Sequence, residues 1–204
     1  MPRYDLFTIG HSNIPADRFI AMLRDAEVNA VADVRSVPNS RWFPWFSAKP
    51  LADKLAGAGI TYTMMGDALG GRPRDPILYR DGVADYEAMA ARPEFAAGLA
   101  RVMDATTRQR VCLLCAEREP LDCHRCLLIA RRLAERGLAA GHILHDGIIE
   151  PHAATEERLL VLDADAAGLF AAGESERLAA AYRRRALAVG FKQKSQPNAV
   201  RKKK

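Results

Sequence analysis

Apolar residues fall into short continuous runs, separated by stretches in which they recur at helical spacing. Five runs read as strands: DLFTIG at 5–10, AVADV at 30–34, ITYTMM at 60–65, VCLLC at 111–115 and GHIL at 141–144. Between them the period changes. Residues 15–28 place Phe19, Ile20, Met22 and Leu23 on one side of a helix. A second helix is predicted over 49–58, and a third over 85–106 that Pro93 interrupts. A fourth is expected after residue 122 and stops at Gly137. Strand and helix in alternation imply parallel strands joined by helical crossovers. The expected fold is therefore α/β: a Rossmann-like open, mainly parallel sheet of about five strands, spanning residues 1–150. Beyond Pro151 the chain turns to alanine, arginine and glutamate, and 174–189 reads as a basic amphipathic helix. Residues 151–190 are expected to form a helical extension packed on the domain, and 191–204 a disordered basic tail.

Composition narrows the class. With 204 residues and 49% hydrophobic content, the chain can bury a full core. No run of eighteen apolar residues occurs, so no membrane span is expected. The opening MPRYDLFTIG lacks a signal-peptide layout, and two of the four cysteines sit in an apolar strand. Both observations lead to the expectation of a reducing cytoplasm. The net charge of +5 is unevenly spread: six lysines and arginines follow Phe191, where no acid occurs, and the rest is close to neutral. Such a tail can add weak, salt-sensitive contact with nucleic acid.

The chemistry concentrates in VCLLCAEREPLDCHRCLLIARRL, residues 111–133. A buried strand ends at Cys115, a polar turn follows, and Asp122 can cap a helix. That leaves Cys123, His124 and Arg125 in the first helical turn, where free N–H groups favour anions. Other polar groups follow other strands: His11 and Ser12 after the first, Asp33, Arg35 and Ser36 at the second, Cys115 and Glu117 at the fourth. Open α/β sheets bind ligands outside the carboxyl ends of their strands, so one shared site is expected there.

TIGHSN, DVRSVPNSR, the ALGGRP loop and LLCAEREPLDCHR together resemble the DUF488 family, over about residues 5–150. The resemblance implies a compact α/β domain with its signature residues at one end of the sheet. It carries over His11, Ser12, Asp33, Arg35, Ser36, Gly70, Gly71, Cys115, Glu117, Cys123, His124 and Arg125. The family's function is unknown, so no reaction and no cofactor follow. Cys112 and Cys126 stand outside the pattern.

Three chemistries are open. In the leading one, Arg35, Arg72 and Arg125 grip a small anionic or nucleotide-like ligand, with His11, Asp33 and Glu117 moving protons. In the second, Cys115 or Cys123 is a reactive thiolate beside His124. The third is a metal site, and the spacing argues against it. Neighbours in one helical turn point about 100° apart, so Cys123 and His124 should converge poorly. No metal ligands are assigned on that ground. A non-enzymatic alternative uses the aromatic loop RWFPWF and Arg183, Arg184 and Arg185 to hold nucleic acid.

Overall fold

A computed structural model describes residues 3–163 and 173–193. In chain order the first elements are β1 (Leu6–Gly10), α1 (Ala16–Asp25), β2 (Ala30–Asp33), α2 (Ala48–Gly57), β3 (Thr61–Met64) and α3 (Gly66–Leu69). A two-stranded hairpin follows, β4 (Tyr79–Arg80) and β5 (Val83–Ala84), then α4 (Tyr86–Ala90) and α5 (Pro93–Thr106). β6 (Val111–Cys115) leads through a π-helical stretch, Arg125–Ala130, into α6 (Arg131–Ala134). The chain continues with β7 (Ala140–Ile143), β8 (Ile149–Pro151), α7 (His152–Leu162) and α8 (Glu174–Val189).

The five predicted strands are all present and parallel, in the order β3-β2-β6-β1-β7. A sixth, β8, adds antiparallel to β7. Every residue of β1, β2, β6 and β7 is buried. Side chains alternate between the two faces. Phe7, Ile9, Val31, Cys112 and Leu114 pack against α1 and α2 on one face. Leu6, Ala32, Val111, Leu113 and Cys115 face the other layer, built from α5, the π-helical stretch and α7–α8. This alternation separates Cys112 from Cys115, so the two cannot share a site. Leu159, Ala181 and Tyr182 belong to the same core as the sheet, so α7 and α8 pack on it.

The chain after α8 differs from the expected tail. The Ala84 N–H donates to the Phe191 carbonyl at 2.9 Å, and Gln193 N–H donates to Gly82 at 2.8 Å. Lys192 pairs antiparallel with Val83. The disorder expected from residue 191 therefore does not begin there, because the hairpin edge supplies backbone partners. Residues 194–204 lie outside the described residues. Among the described residues, no helix is long and apolar enough to cross a membrane.

Candidate functional site

Cys115 closes β6 on the layer face, and the chain then turns back over the sheet edge. The turn is possible because Gly10 lies beneath it. A Cβ there would sit 1.7 Å from the Glu117 carbonyl oxygen. The next step corrects the sequence reading. Glu119, not Asp122, caps a short 3₁₀ turn, Pro120–Asp122. Cys123 is extended, with φ −137 and ψ 138, and helical backbone starts only at His124. The 100° separation of helical neighbours does not apply across that junction, so the Cys123 and His124 side chains meet.

Four donor atoms converge there, from Cys115, Glu117, Cys123 and His124, all within 4.8 Å of one another. Glu117 Oε2 lies 2.8 Å from Cys115 Sγ and 3.1 Å from Cys123 Sγ. His124 Nδ1 lies 3.7 and 3.8 Å from the same sulfurs. Its Nε2 is held by the Val34 carbonyl at 3.0 Å, which turns Nδ1 toward the thiols. Burial pushes the Cys115 thiol well above its ordinary range, and the adjoining Cys123 adds to this. Burial also opposes ionisation of Cys123, but the Cys115 hydrogen bond, the Arg125 guanidinium and His124 outweigh it. They hold that thiol well below its ordinary range. Only Glu117 of the four is partly exposed. Such a group of buried cysteine, histidine and carboxylate donors could hold a metal ion.

The cluster floors a cavity of about 230 Å³. Arg35, Ser36, Gly71 and Arg72 form its polar side, and Val37, Tyr86, Val189 and Phe191 its apolar side. Gly71 presses on His124: a Cβ would fall 2.7 Å from its Cγ. Gly70 is equally close to Ser36, whose Oγ accepts the Arg72 N–H at 2.9 Å. The two glycines of ALGGRP thus serve close packing around the site. Gly71→Ala should push the His124 ring off the Val34 carbonyl and lower stability by about 1–3 kcal/mol, the cost of overpacking a close contact. Urea unfolding of the variant checks this.

The other expected residues sit elsewhere. His11 and Asp33 do not line the cavity; they lie behind Arg35. Asp33 accepts from Arg35 Nε at 2.9 Å and Nη2 at 2.5 Å, and from the Tyr62 hydroxyl at 2.6 Å. His11 binds the Ser12 carbonyl and Arg35 Nη1, and stacks on Phe46. Burial pushes its pKa down to about 4. An ionised carboxylate with all its partners inside the fold, and a neutral enclosed imidazole, are poor proton carriers for a ligand in the cavity. Ser12 adopts φ 42 in the turn after β1, with its hydroxyl on Asn13. Arg125 is the clearest departure. It is fully buried and donates to the Glu117 carbonyl at 2.7 Å and the Arg118 carbonyl at 3.1 Å. It props the turn and cannot reach a ligand. Arg184 and Arg185 are bound to Asp163 and Asp122. In RWFPWF, Trp42 is exposed and Phe46 fully buried.

Sequence reasoning missed Tyr86, Val189 and Phe191, whose positions come from remote elements and carry no motif. A second group, Cys126, His142 and His152, also went unread. It forms an internal chain: Thr8 Oγ1 to His142 Nδ1 at 2.8 Å, His142 Nε2 to His152 Nδ1 at 2.9 Å, and His152 Nε2 to the Tyr182 hydroxyl at 3.2 Å. Tyr182 in turn donates to Glu156.

No curated protein and no solved structure matches the chain. A family model described as "Domain of unknown function DUF488" matches residues 15–132. That span holds DVRSVPNSR, ALGGRP and the Cys115–Arg125 turn, and leaves out TIGHSN, the extension and Phe191. It covers more than half of the chain, which therefore belongs to the DUF488 family of unknown function.

Proposed function

We propose that the protein is a metal-dependent enzyme of the zinc type, acting on a small anionic molecule that enters past Arg72. The observation that carries this reading is the convergence of two thiols, one imidazole nitrogen and one carboxylate oxygen within 4.8 Å. Two sulfurs, a nitrogen and an oxygen form a donor set suited to zinc. The Val34 carbonyl on His124 Nε2 is the outer contact that fixes a ligating imidazole. Arg125, under the cluster, offsets the charge of a thiolate pair and a carboxylate.

The exposure pattern assigns roles. Cys115, Cys123 and His124 are the buried, permanent ligands. Glu117 borders the cavity; it would be the exchangeable ligand of such an ion and, from the cavity wall, could carry a proton. A bound zinc ion polarises an oxygen substituent and lowers the pKa of water to about 7. The reaction class that fits is hydrolytic. Arg72 has no carboxylate partner among the described residues, and its guanidinium is free to meet the substrate's anionic group.

Metal analysis of protein purified without chelator tests the reading. About one zinc ion per chain is expected to survive dialysis. Cys123→Ser and His124→Ala should each lose it while keeping the native circular dichroism spectrum. Wild-type protein that takes up no zinc, even when reduced and supplied with it, sinks the metal reading. If Cys123 in that metal-free protein alkylates faster than a free thiol, the site is a cysteine nucleophile instead.

A further inference from the structure

The cavity has an apolar side that metal binding leaves unexplained. Two of its residues, Val189 and Phe191, come from the C-terminal segment, outside the family-matched span. That segment is fastened to the β4–β5 hairpin by the bonds of Phe191, Lys192 and Gln193. Arg72 stands over the Phe191 ring, 4.8 Å from its centre. Beyond Arg72 lies a second cavity of about 560 Å³, which shares Ser36, Val37 and Arg72 with the first and extends to Arg74 and Arg92. Arg72 therefore stands at the junction of a small chamber, lined in part by Tyr86 and Phe191, and a larger one of mixed lining.

We infer that the ligand is a nucleotide, with its base in the small chamber against Phe191 and Tyr86 and its phosphate at Arg72. The inference rests on the proposed enzyme site for its chemistry, though not for its binding. Three features select this class. Pockets for drug-sized ligands measure about 300–1,000 Å³, so the small chamber suits one flat ring system. Aromatic walls accept the face of any base, and a guanidinium with no carboxylate partner among the described residues can take a phosphate in bidentate fashion. Neither part is explained by a simpler ligand. An inorganic anion would use Arg72 and leave four apolar walls against water. An apolar ligand would leave Arg72 and Glu117 without partners. The larger chamber receives the chain of a single strand, or stays solvent-filled around a free nucleotide.

Calorimetry on the full-length protein tests this with inorganic phosphate, cytidine and adenosine monophosphates, and a single-stranded hexanucleotide. Zinc content is measured on every sample. At least one monophosphate should bind about tenfold or more tighter than inorganic phosphate, the gain that stacking supplies. Phe191→Ala should erase that gain, so that nucleotide binds no better than inorganic phosphate measured on the same variant, while Phe191→Trp keeps it. Arg72→Ala should weaken nucleotide and phosphate alike by about tenfold. A hexanucleotide that binds more tightly than either monophosphate identifies a nucleic-acid strand as the source; equal affinities identify the free nucleotide. Monophosphates that bind no better than inorganic phosphate overturn the inference, and so does full affinity in Phe191→Ala. Zinc-free protein that still binds nucleotide through Phe191 and Arg72 leaves the inference standing while the metal reading falls.

Discussion

Arg125→Met is expected to destabilise the protein by about 3 kcal/mol or more, although it removes a charge from the interior. The guanidinium is fully buried and satisfies the Glu117 and Arg118 carbonyls. Each acceptor left without a donor costs about 1–3 kcal/mol where water cannot replace it, and both of these bonds are part-buried. Methionine fills much of the volume but donates nothing. The gain from no longer burying a charge offsets part of the loss, since the guanidinium Nε has no partner in the fold. The affected backbone joins Cys115 to Cys123, so the thiol cluster should lose its geometry as well. Arg125→Lys supplies one donating nitrogen in place of two, without the guanidinium's fork, and should fall between. Urea unfolding checks this, read as a lower midpoint at unchanged slope. A midpoint shift worth less than about 1 kcal/mol would mean that the turn holds without its prop.

The second large effect is acid sensitivity. Burial holds His11 and His152 at about 4 and also pushes His142 well below its ordinary range, with the neighbouring His152 adding to it. In the unfolded chain each titrates near 6.5. Between those values the unfolded state binds more protons, so stability is complete above pH 6.5 and drains away as the pH falls toward 4. Each histidine contributes up to about 1.4 kcal/mol per pH unit across that window. His124 is pushed up and works in the opposite direction, while His145, also lowered by burial, acts with the other three. For a chain of this size, the melting temperature should drop on the order of 10 °C or more between pH 6.5 and 5. A flat profile over that interval would mean that the imidazoles gain water or partners on protonation.

The sheet was legible because its strands are unbroken apolar runs bounded by polar turns. β8 was not, since three residues ending in proline carry no period. Nor were the two-residue strands of the hairpin. The cysteines, Glu117 and His124 were legible as a site because they gather at one turn. Their mutual geometry was not. It depends on one extended residue, Cys123, and on Glu119 rather than Asp122 capping the turn. Arg125 reads as an anion-binding residue because its actual partners are carbonyl oxygens, which every sequence possesses. His11 and Asp33 reached the correct end of the sheet but not the cavity. Which way they turn is decided by Phe46, Tyr62 and Arg35, all side chains of other segments.

The strand order also governs how the chain comes together. β1 and β2 are successive strands, yet they never touch. β6 lies between them and pairs with both. Some eighty residues separate Asp33 from Val111, so a chain emerging from the ribosome must hold two apolar strands apart until the strand that joins them arrives. Loop closure over that distance precedes any reward in pairing, which favours slow folding and exposed edges on the way. A fragment ending before residue 111 should stay unfolded or aggregate. Adding residues 111–115 and their following helix should bring the sheet and the thiol cluster into being in a single step.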